Sequence, residues 1–219
     1  MTEEKWLAAT NPLHPLLHVK RTKPGLRSAT NRRKFRLFSC ACAWRLGPAL
    51  ITSADREVIE TAERFAEGKI TKIQLEATRL SIWSNKVLVS SSLLRAPFAA
   101  ICRSETWKSV TVWRTTSHQC RDTMRGNTSV NEKQIQAALV RDIFGNPFRP
   151  VTFDTKWRTS TVLALARGIY QERAFDRLPI LADALQDAGC ESPDILDHCR
   201  GPGPHARGCF VVDLLLEHK

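Results

Sequence analysis

The chain has 219 residues, 42% of them hydrophobic and 25% charged, with 33 Lys and Arg against 22 Asp and Glu. This composition excludes wholesale disorder, and the length allows one large domain or two small ones. The longest nearly charge-free stretch, residues 87–94, is far shorter than the roughly 20 residues that span a bilayer, and the N-terminus lacks the pattern of a signal peptide. Seven cysteines, an odd count, fit poorly with a disulfide framework. We therefore expect a cytoplasmic protein with reduced thiols and no membrane partner.

The first predicted helices follow one another with clear start signals. Asn31 is expected to cap a helix that runs to Leu46, because apolar residues recur there at steps of three and four. Residues 52–55 have the form of a capping box, and residues 71–74 repeat that start signal. Each of these segments carries one apolar face, which indicates helices packed on a common core.

The middle of the chain has the weakest pattern. Residues 107–115 are rich in β-branched side chains and fit either a helix or a short strand. Residues 125–128 form a predicted turn. We therefore place a boundary there, between an N-terminal helical part (1–125) and a C-terminal helical part (126–219).

The C-terminal part has sharper signals. Helix starts are predicted at Asn131, Ser160, Asp176 and Ser192. Residues 148–156 lie among prolines and are predicted to be extended or irregular, and residues 210–216 form a short, buried terminal helix. The sequence thus predicts an all-α fold, an irregular multi-helix bundle. Any small extended patch is expected near 107–115 or 148–156.

Positive charge is concentrated at the N-terminus, where residues 1–45 hold 10 basic and 2 acidic residues. Such a cluster can neutralise several phosphates of a nucleic acid. Residues 20–30 contain no aromatic side chain on which bases would stack, so a solvated arm that docks on the acidic C-terminal part is the alternative. The candidate nucleic-acid contacts are Lys20, Arg21, Lys23, Arg27, Arg32, Arg33, Lys34 and Arg36.

Residues 198–209 contain two His, two Cys and two Arg around a Gly/Pro loop. Thiolate and imidazole are natural zinc ligands, and the set predicted from the sequence is Cys190, Cys199, His205 and Cys209. No C-x₂-C knuckle accompanies this set, which argues against zinc. Zinc is nevertheless the one cofactor for which the sequence offers candidate ligands.

Two other functional interpretations share this segment. A thiol nucleophile would be Cys199 or Cys209, activated by His198 or His205 as the base. The positive charge that stabilises the thiolate would come from Arg200 and Arg207. An anion site would use Arg200, His205 and Arg207 with the N–H groups of the loop. The structural alternative is a rigid turn between two helices, with the cysteines buried as small apolar residues.

Six segments of the sequence resemble a family of bacterial proteins that is expanded in planctomycetes. They are residues 1–7, 34–42, 62–68, 141–150, 173–185 and 198–205. The chain departs from the family in its middle, where Ser, Thr and Trp replace an alanine-rich stretch, and in a longer basic insertion at residues 20–31. No biochemical function is attached to this family, so the resemblance implies no catalytic residue.

No P-loop, G-x-G-x-x-G, H-E-x-x-H or G-x-S-x-G motif is present. Without an assembled catalytic set, we predict a non-enzymatic helical module that binds another protein. A nucleic-acid-binding accessory protein that uses the basic N-terminal stretch is the first alternative. A small zinc- or thiol-dependent protein built on the C-terminal Cys/His loop is the second.

Overall fold

The part of the chain that the structure describes contains ten α-helices, two 3-10 turns and no strand. This computed structural model describes residues 1–22, 25, 28–47, 51–84 and 132–218. The helices are α1 (Glu3–Leu7), α2 (Leu13–Arg21), α3 (Ala29–Trp44), α4 (Ser53–Ala66), α5 (Lys72–Ser84), α6 (Glu132–Phe144), α7 (Ser160–Glu172), α8 (Leu178–Asp187), α9 (Pro193–Arg200) and α10 (Phe210–Leu216). For these residues the predicted all-α, multi-helix fold is confirmed.

Side-chain caps explain where α3 and α4 begin. At α4, Thr52 Oγ1 accepts a hydrogen bond from Asp55 N (3.2 Å), and the Asp55 carboxylate accepts one from Thr52 N (2.8 Å), which is the predicted capping box. At α3 the prediction is wrong by three residues, because Ser28 and not Asn31 is the N-cap. The Asn31 amide instead donates to Gly25 O at 2.9 Å, which holds the preceding loop on the helix.

Two of the predicted starts of C-terminal helices are confirmed and one is wrong. Ser160 is the first residue of α7, which Thr159 caps by accepting from Val162 N, and Ser192 is the N-cap of α9. Asp176 does not cap α8, because it lies inside a 3-10 turn, Phe175–Arg177, that leads directly into the helix. The terminal helix has the predicted bounds.

Of the two segments predicted as candidate extended patches, the structure describes only residues 148–156. Residues 148–156 contain no strand and run irregularly into a 3-10 turn, Thr155–Trp157. The irregular backbone predicted there is therefore present. Residues 107–115 lie outside the described part of the chain.

Two hydrophobic clusters form the core. The first is built on α1–α6 and centres on Trp6, Phe35, Phe38, Ile59 and Leu75, all fully buried. The second is built on α7–α10 and the loop before α10, and includes Ile169, Leu181, Leu185, Cys199 and Val212. Helix α6 packs on the first cluster through Leu139, Val140 and Ile143, although it follows the predicted boundary at residues 125–126.

A buried ion network joins the two clusters at Arg33 of α3. Its guanidinium donates to both carboxylate oxygens of Asp213 (2.6 and 3.1 Å) and to Glu67 Oε1 (2.9 Å). Tyr170 O–H donates to the same Glu67 oxygen at 2.5 Å. Burial opposes the charge of Arg33, but the hydrogen bonds and charge of Asp213 prevail and raise its pKa. Burial, followed by the charge of Glu67, raises the pKa of Tyr170 despite the opposing effect of Arg33.

A second ion network centres on Glu63 of α4, whose side chain is only 2% exposed. Its carboxylate accepts from Trp44 Nε1 (2.8 Å), from Arg207 (2.8 Å) and, in a two-pronged pair, from Arg173. The Arg173 guanidinium also lies over the Trp44 ring, 4.4 Å from its centroid. One carboxylate of α4 is therefore the shared acceptor for an arginine that follows α7 and an arginine that precedes α10.

No helix in the described ranges combines the length and the apolar character needed to cross a bilayer.

Candidate metal centre

Four side chains that ordinarily ligate metals converge where α6 meets the C-terminal loop. Asp142 comes from α6, His198 from α9, and His205 and Cys209 from residues 201–209, which connect α9 to α10. One potential ligand atom from each lies within 4.8 Å of the others. The cluster therefore joins residues that are up to 67 positions apart in sequence, Asp142 being the distant member.

The contacts within the cluster are short and centre on one carboxylate. Asp142 Oδ1 lies 2.7 Å from His205 Nδ1 and 3.1 Å from His198 Nε2. The same His198 Nε2 is 3.3 Å from Cys209 Sγ. The other Asp142 oxygen accepts from the backbone N–H of Ala206 at 3.0 Å. Without a metal, these hydrogen bonds satisfy the buried carboxylate and hold the loop on α6.

The cluster lies inside the protein, with the Asp142 side chain 2% exposed and Cys209 fully buried. Burial disfavours the Asp142 carboxylate, but hydrogen bonds from His198 and His205 outweigh it and lower the Asp142 pKa. Burial likewise disfavours the charged form of His205, yet its hydrogen bond to Asp142 raises the His205 pKa. Burial raises the pKa of Cys209 well above its usual value, and the nearby Asp142 charge adds to this. Without a metal, Cys209 is therefore a neutral thiol.

Glycine at position 208 lets the loop approach α3 closely. Gly208 has φ +94°, and a Cβ there would lie 2.9 Å from Leu37 Cδ1. Both the left-handed backbone and the close approach favour glycine at this position. Because Cys209 follows directly, this contact fixes the place of one of the four side chains in the cluster.

The four side chains could together hold a metal ion. Carboxylate, imidazole and thiolate are all zinc ligands, and tetrahedral zinc separates its nitrogen and oxygen donors by about 3.3 Å and pairs that include sulfur by about 3.5 Å. The three short gaps, 2.7, 3.1 and 3.3 Å, would widen by about 0.2–0.6 Å to admit the ion. The wider gaps, which reach at most 4.8 Å, would have to narrow by up to about 1.5 Å. His205 Nε2 faces Gly201 O at 3.4 Å, the kind of second partner that orients a ligating histidine through its other nitrogen.

The same geometry disfavours a thiol nucleophile. In a catalytic triad the base contacts the nucleophile with one ring nitrogen and the orienting acid with the other. Here His198 Nε2 contacts both Asp142 and Cys209. The raised pKa of Cys209 also works against a thiolate. Contact of one His198 nitrogen with both the Asp142 oxygen and the Cys209 sulfur is instead compatible with three ligands of one metal ion.

Two of the four ligands predicted from the sequence lie in the cluster, and two do not. His205 and Cys209 are members, whereas Cys190 and Cys199 pack as fully buried residues in the second hydrophobic cluster. Burial raises the pKa of Cys199 to about 12, with the charge of Asp142 adding to it. Within the described ranges, both belong to five free thiols.

Sequence reasoning missed Asp142 as a ligand and treated His198 only as a candidate base. Asp142 is buried on the same helix as Leu139, Val140 and Ile143. An acidic residue among buried apolar neighbours is unusual unless it is paired, and this was the available signal.

The predicted anion site is not assembled as a unit. Arg200 lies at the surface and donates to Asp183 (2.9 Å) and Gln186 (2.7 Å). Arg207 pairs with Glu63, and His205 contacts Asp142. Each of the three predicted residues therefore has a different polar partner.

The candidate nucleic-acid contacts also separate. Arg33 and Arg36 are buried, Arg33 in its ion network and Arg36 with its guanidinium 4.7 Å from the Phe65 ring centroid. Their burial keeps both guanidinium groups away from a phosphate at the surface, so Arg33 and Arg36 are no longer candidate nucleic-acid contacts. Arg21 and Arg32 are exposed, and Lys20 and Lys34 are half-buried. Lys23 and Arg27 lie outside the described residues.

Comparison with known proteins adds no functional assignment to this geometry. Searches of protein-family models, curated proteins and solved structures found no match to the chain. The bacterial family that the sequence resembles therefore stays a prediction.

Proposed function

We propose that this protein is a non-catalytic helical module whose C-terminal loop is held by a structural zinc ion. Asp142, His198, His205 and Cys209 would be the ligands. The observation that carries the proposal is the convergence of four ligand atoms within 4.8 Å, with His198 Nε2 facing both the carboxylate and the thiol. The ion would tie the loop of residues 201–209 to α6.

Four protein donors favour a structural role over a catalytic one. Catalytic zinc sites usually have three protein ligands and leave a position for water or substrate, whereas structural sites have four. With a carboxylate, a thiolate and two neutral imidazoles, a divalent ion gives a centre with no net charge. Such a centre suits the buried position better than an isolated carboxylate does.

Zinc binding requires Cys209 to lose its proton, because the thiolate is the ligand. Burial raises the pKa of this thiol in the metal-free protein. The metal must therefore displace a proton, and we expect zinc affinity to increase as pH rises. Proton release on titration with zinc is a direct readout of this step.

The first experiment is elemental analysis of protein purified without chelator and without a histidine-rich tag. We expect about one zinc per chain, reduced at least tenfold by Asp142→Asn or by Cys209→Ala. Cys199→Ala is the matched control, since it removes a buried thiol from the same region but leaves the four donors intact.

Cobalt tests the same centre by spectroscopy. Tetrahedral cobalt with one thiolate gives visible bands and a sulfur-to-metal charge-transfer band, and the latter should vanish in Cys209→Ala. Metal-free protein that binds neither zinc nor cobalt at micromolar concentration would contradict the proposal. Loss of metal in Cys190→Ala or Cys199→Ala with retention in Asp142→Asn would favour the sequence-predicted set instead.

A second candidate function, binding of a partner protein, is favoured by one surface. Ile73, Ala77 and Leu80 of α5 share one helical face, and Ile73 and Leu80 are 82% and 57% exposed. We propose that this face takes an apolar helix of another protein. We expect wild type and the control Ile180→Ser to retain the partner, and the double variant Ile73→Ser/Leu80→Ser to lose it. Equal retention by all three would exclude this face.

A further inference from the structure

The cleft between α3, the segment after α6 and α10 has the features of a ligand site. It measures about 320 Å³, at the lower end of the range for small-molecule pockets. We infer that it binds a small organic carboxylate, with the apolar body of the ligand in the cleft and its carboxylate on Lys34. This inference is independent of the proposed zinc centre.

The walls of the cleft are largely apolar. Phe144 and Pro147 line one side and Phe210 and Leu214 another, with Val151 nearby. Two of these lining residues, Phe144 and Phe210, are aromatic, which favours contact with an aromatic or aliphatic group of a ligand. A ligand made only of charge, such as inorganic phosphate, would leave these walls unused.

Lys34 supplies the polar contact. It projects from α3 into the lining of the cleft and is half-buried. Among the residues that the structure describes, its ammonium makes no hydrogen bond or ion pair. Burial lowers the Lys34 pKa even though the charge of Asp213 partly opposes this. A partly desolvated ammonium of this kind is stabilised by an anion that reaches it.

Within the described residues, no acidic group around the cleft pairs directly with that ammonium. Asp213, the carboxylate in the lining, is bonded to Arg33 at 2.6 and 3.1 Å and lies 3.4 Å from His218 Nδ1. Arg149 lies at the rim, 61% exposed, and its nearest acidic oxygen is Glu3 Oε1 at 3.2 Å. The negative charge of Asp213 is therefore already balanced, and the surplus in the cleft is positive.

Carboxylate is the ligand group that these features specify. It accepts hydrogen bonds from an ammonium without requiring the several donors of a phosphate site. The small volume and apolar walls restrict the remainder of the molecule to one ring or a short chain. Charge complementarity and shape thus point to the same class of ligand.

Benzoate is a suitable probe, and benzyl alcohol is a neutral probe of similar shape. Chemical-shift titrations of the 219-residue protein as purified should show saturable benzoate binding at least about tenfold tighter than that of benzyl alcohol, the ratio expected for a charge-assisted hydrogen bond. Inorganic phosphate should bind at least about tenfold more weakly than benzoate, because it cannot use the apolar walls.

Variants assign the binding to Lys34. Lys34→Met should weaken benzoate binding at least about tenfold, and Lys34→Arg should keep it within about threefold. Lys133→Met on α6 is the matched control, because Lys133 is exposed and does not line the cleft.

Three results of the benzoate experiments would overturn the inference. They are benzoate binding no tighter than benzyl alcohol binding, benzoate binding unchanged in Lys34→Met, and no saturation with benzoate at millimolar concentration. Phosphate that binds as tightly as benzoate would show a site for charge alone and would also refute it. The comparison of probes uses wild-type protein, so it holds even if a variant fails to fold.

Discussion

Replacement of Arg33 by methionine tests whether the buried ion network stabilises the fold. Methionine keeps most of the length and apolar volume of the arginine stem but removes the guanidinium. Asp213 and Glu67 would then be buried without their cation, with side-chain exposures of only 4% and 8%. Tyr170 would also lose the contact of its hydroxyl oxygen with the guanidinium, at present 3.0 Å long.

The expected effect is large because the partners are so little exposed. Removal of one member of a buried ion pair typically costs about 3–5 kcal/mol in the free energy of unfolding. For a chain of this size each kcal/mol lowers the melting temperature by roughly 2–4 °C, so a decrease of about 6–20 °C is expected. Replacement of an exposed arginine in the same charged stretch should change the free energy of unfolding by no more than about 0.5 kcal/mol.

Urea unfolding followed by circular dichroism gives the comparison, with Arg21→Met as the control because Arg21 is exposed on α2. Adding Asp213→Asn to the Arg33→Met variant removes the uncompensated carboxylate and should recover part of the lost stability. A loss below about 1 kcal/mol in Arg33→Met, or no recovery in the double variant, would refute the network as described.

Three further predictions follow from individual contacts. Gly208→Ala should destabilise the protein by about 1–3 kcal/mol, because the new Cβ would meet Leu37 Cδ1 at 2.9 Å on a left-handed backbone; an unchanged urea midpoint would contradict this. Glu63→Gln should lower the free energy of unfolding by about 1–3 kcal/mol, a range that allows for the partial exposure of the two paired arginines. Glu60→Gln, on the exposed side of α4, is its control. The folded-state pKa of Asp213 is lowered by hydrogen bonds from His218 and Arg33 that outweigh burial, so its contribution to stability is present above its unfolded pKa and is lost as pH falls. Stability measured from about pH 5 down to pH 2 should therefore fall more steeply in wild type than in Asp213→Asn, and parallel curves would exclude this contribution.

Local signals in the sequence were sufficient for the helices but less so for their first residues. The capping box of Thr52 and Asp55 depends on residues three positions apart, so a short stretch of sequence contains all of it. The start of α3 depends instead on which of two polar residues faces the helix end. Ser28 is the cap, since its hydroxyl oxygen accepts from Asn31 N, while the Asn31 side chain donates to Gly25 O.

The candidate site was only half predictable for a different reason. His205 and Cys209 belong to one short loop, and their chemistry is evident from the sequence. Asp142 reaches them from a helix more than 50 positions away, and only the packing of α6 against the loop brings it there. Cys190 and Cys199 were chosen because they are thiols close in sequence to His205 and Cys209, but nearness in sequence does not fix which side chains share a buried face.

The same limit applies to the basic stretch. Eight cations between positions 20 and 36 suggested one continuous surface, yet Arg33 and Arg36 point into the protein. Their acidic and aromatic partners lie far along the chain, Asp213 being 180 positions from Arg33. Charge density in a sequence does not reveal such partners.

The two ion networks restrict how this chain can be divided or recombined. A fragment that begins at residue 126 would keep the second hydrophobic cluster but would contain Asp213 without Arg33, and Arg207 without Glu63. A fragment that ends at residue 125 would contain Arg33 without Asp213, and Glu63 without Arg207. The two parts are therefore expected to be inherited together, and exchange of either part between relatives should succeed only when the charged partners on both sides are retained.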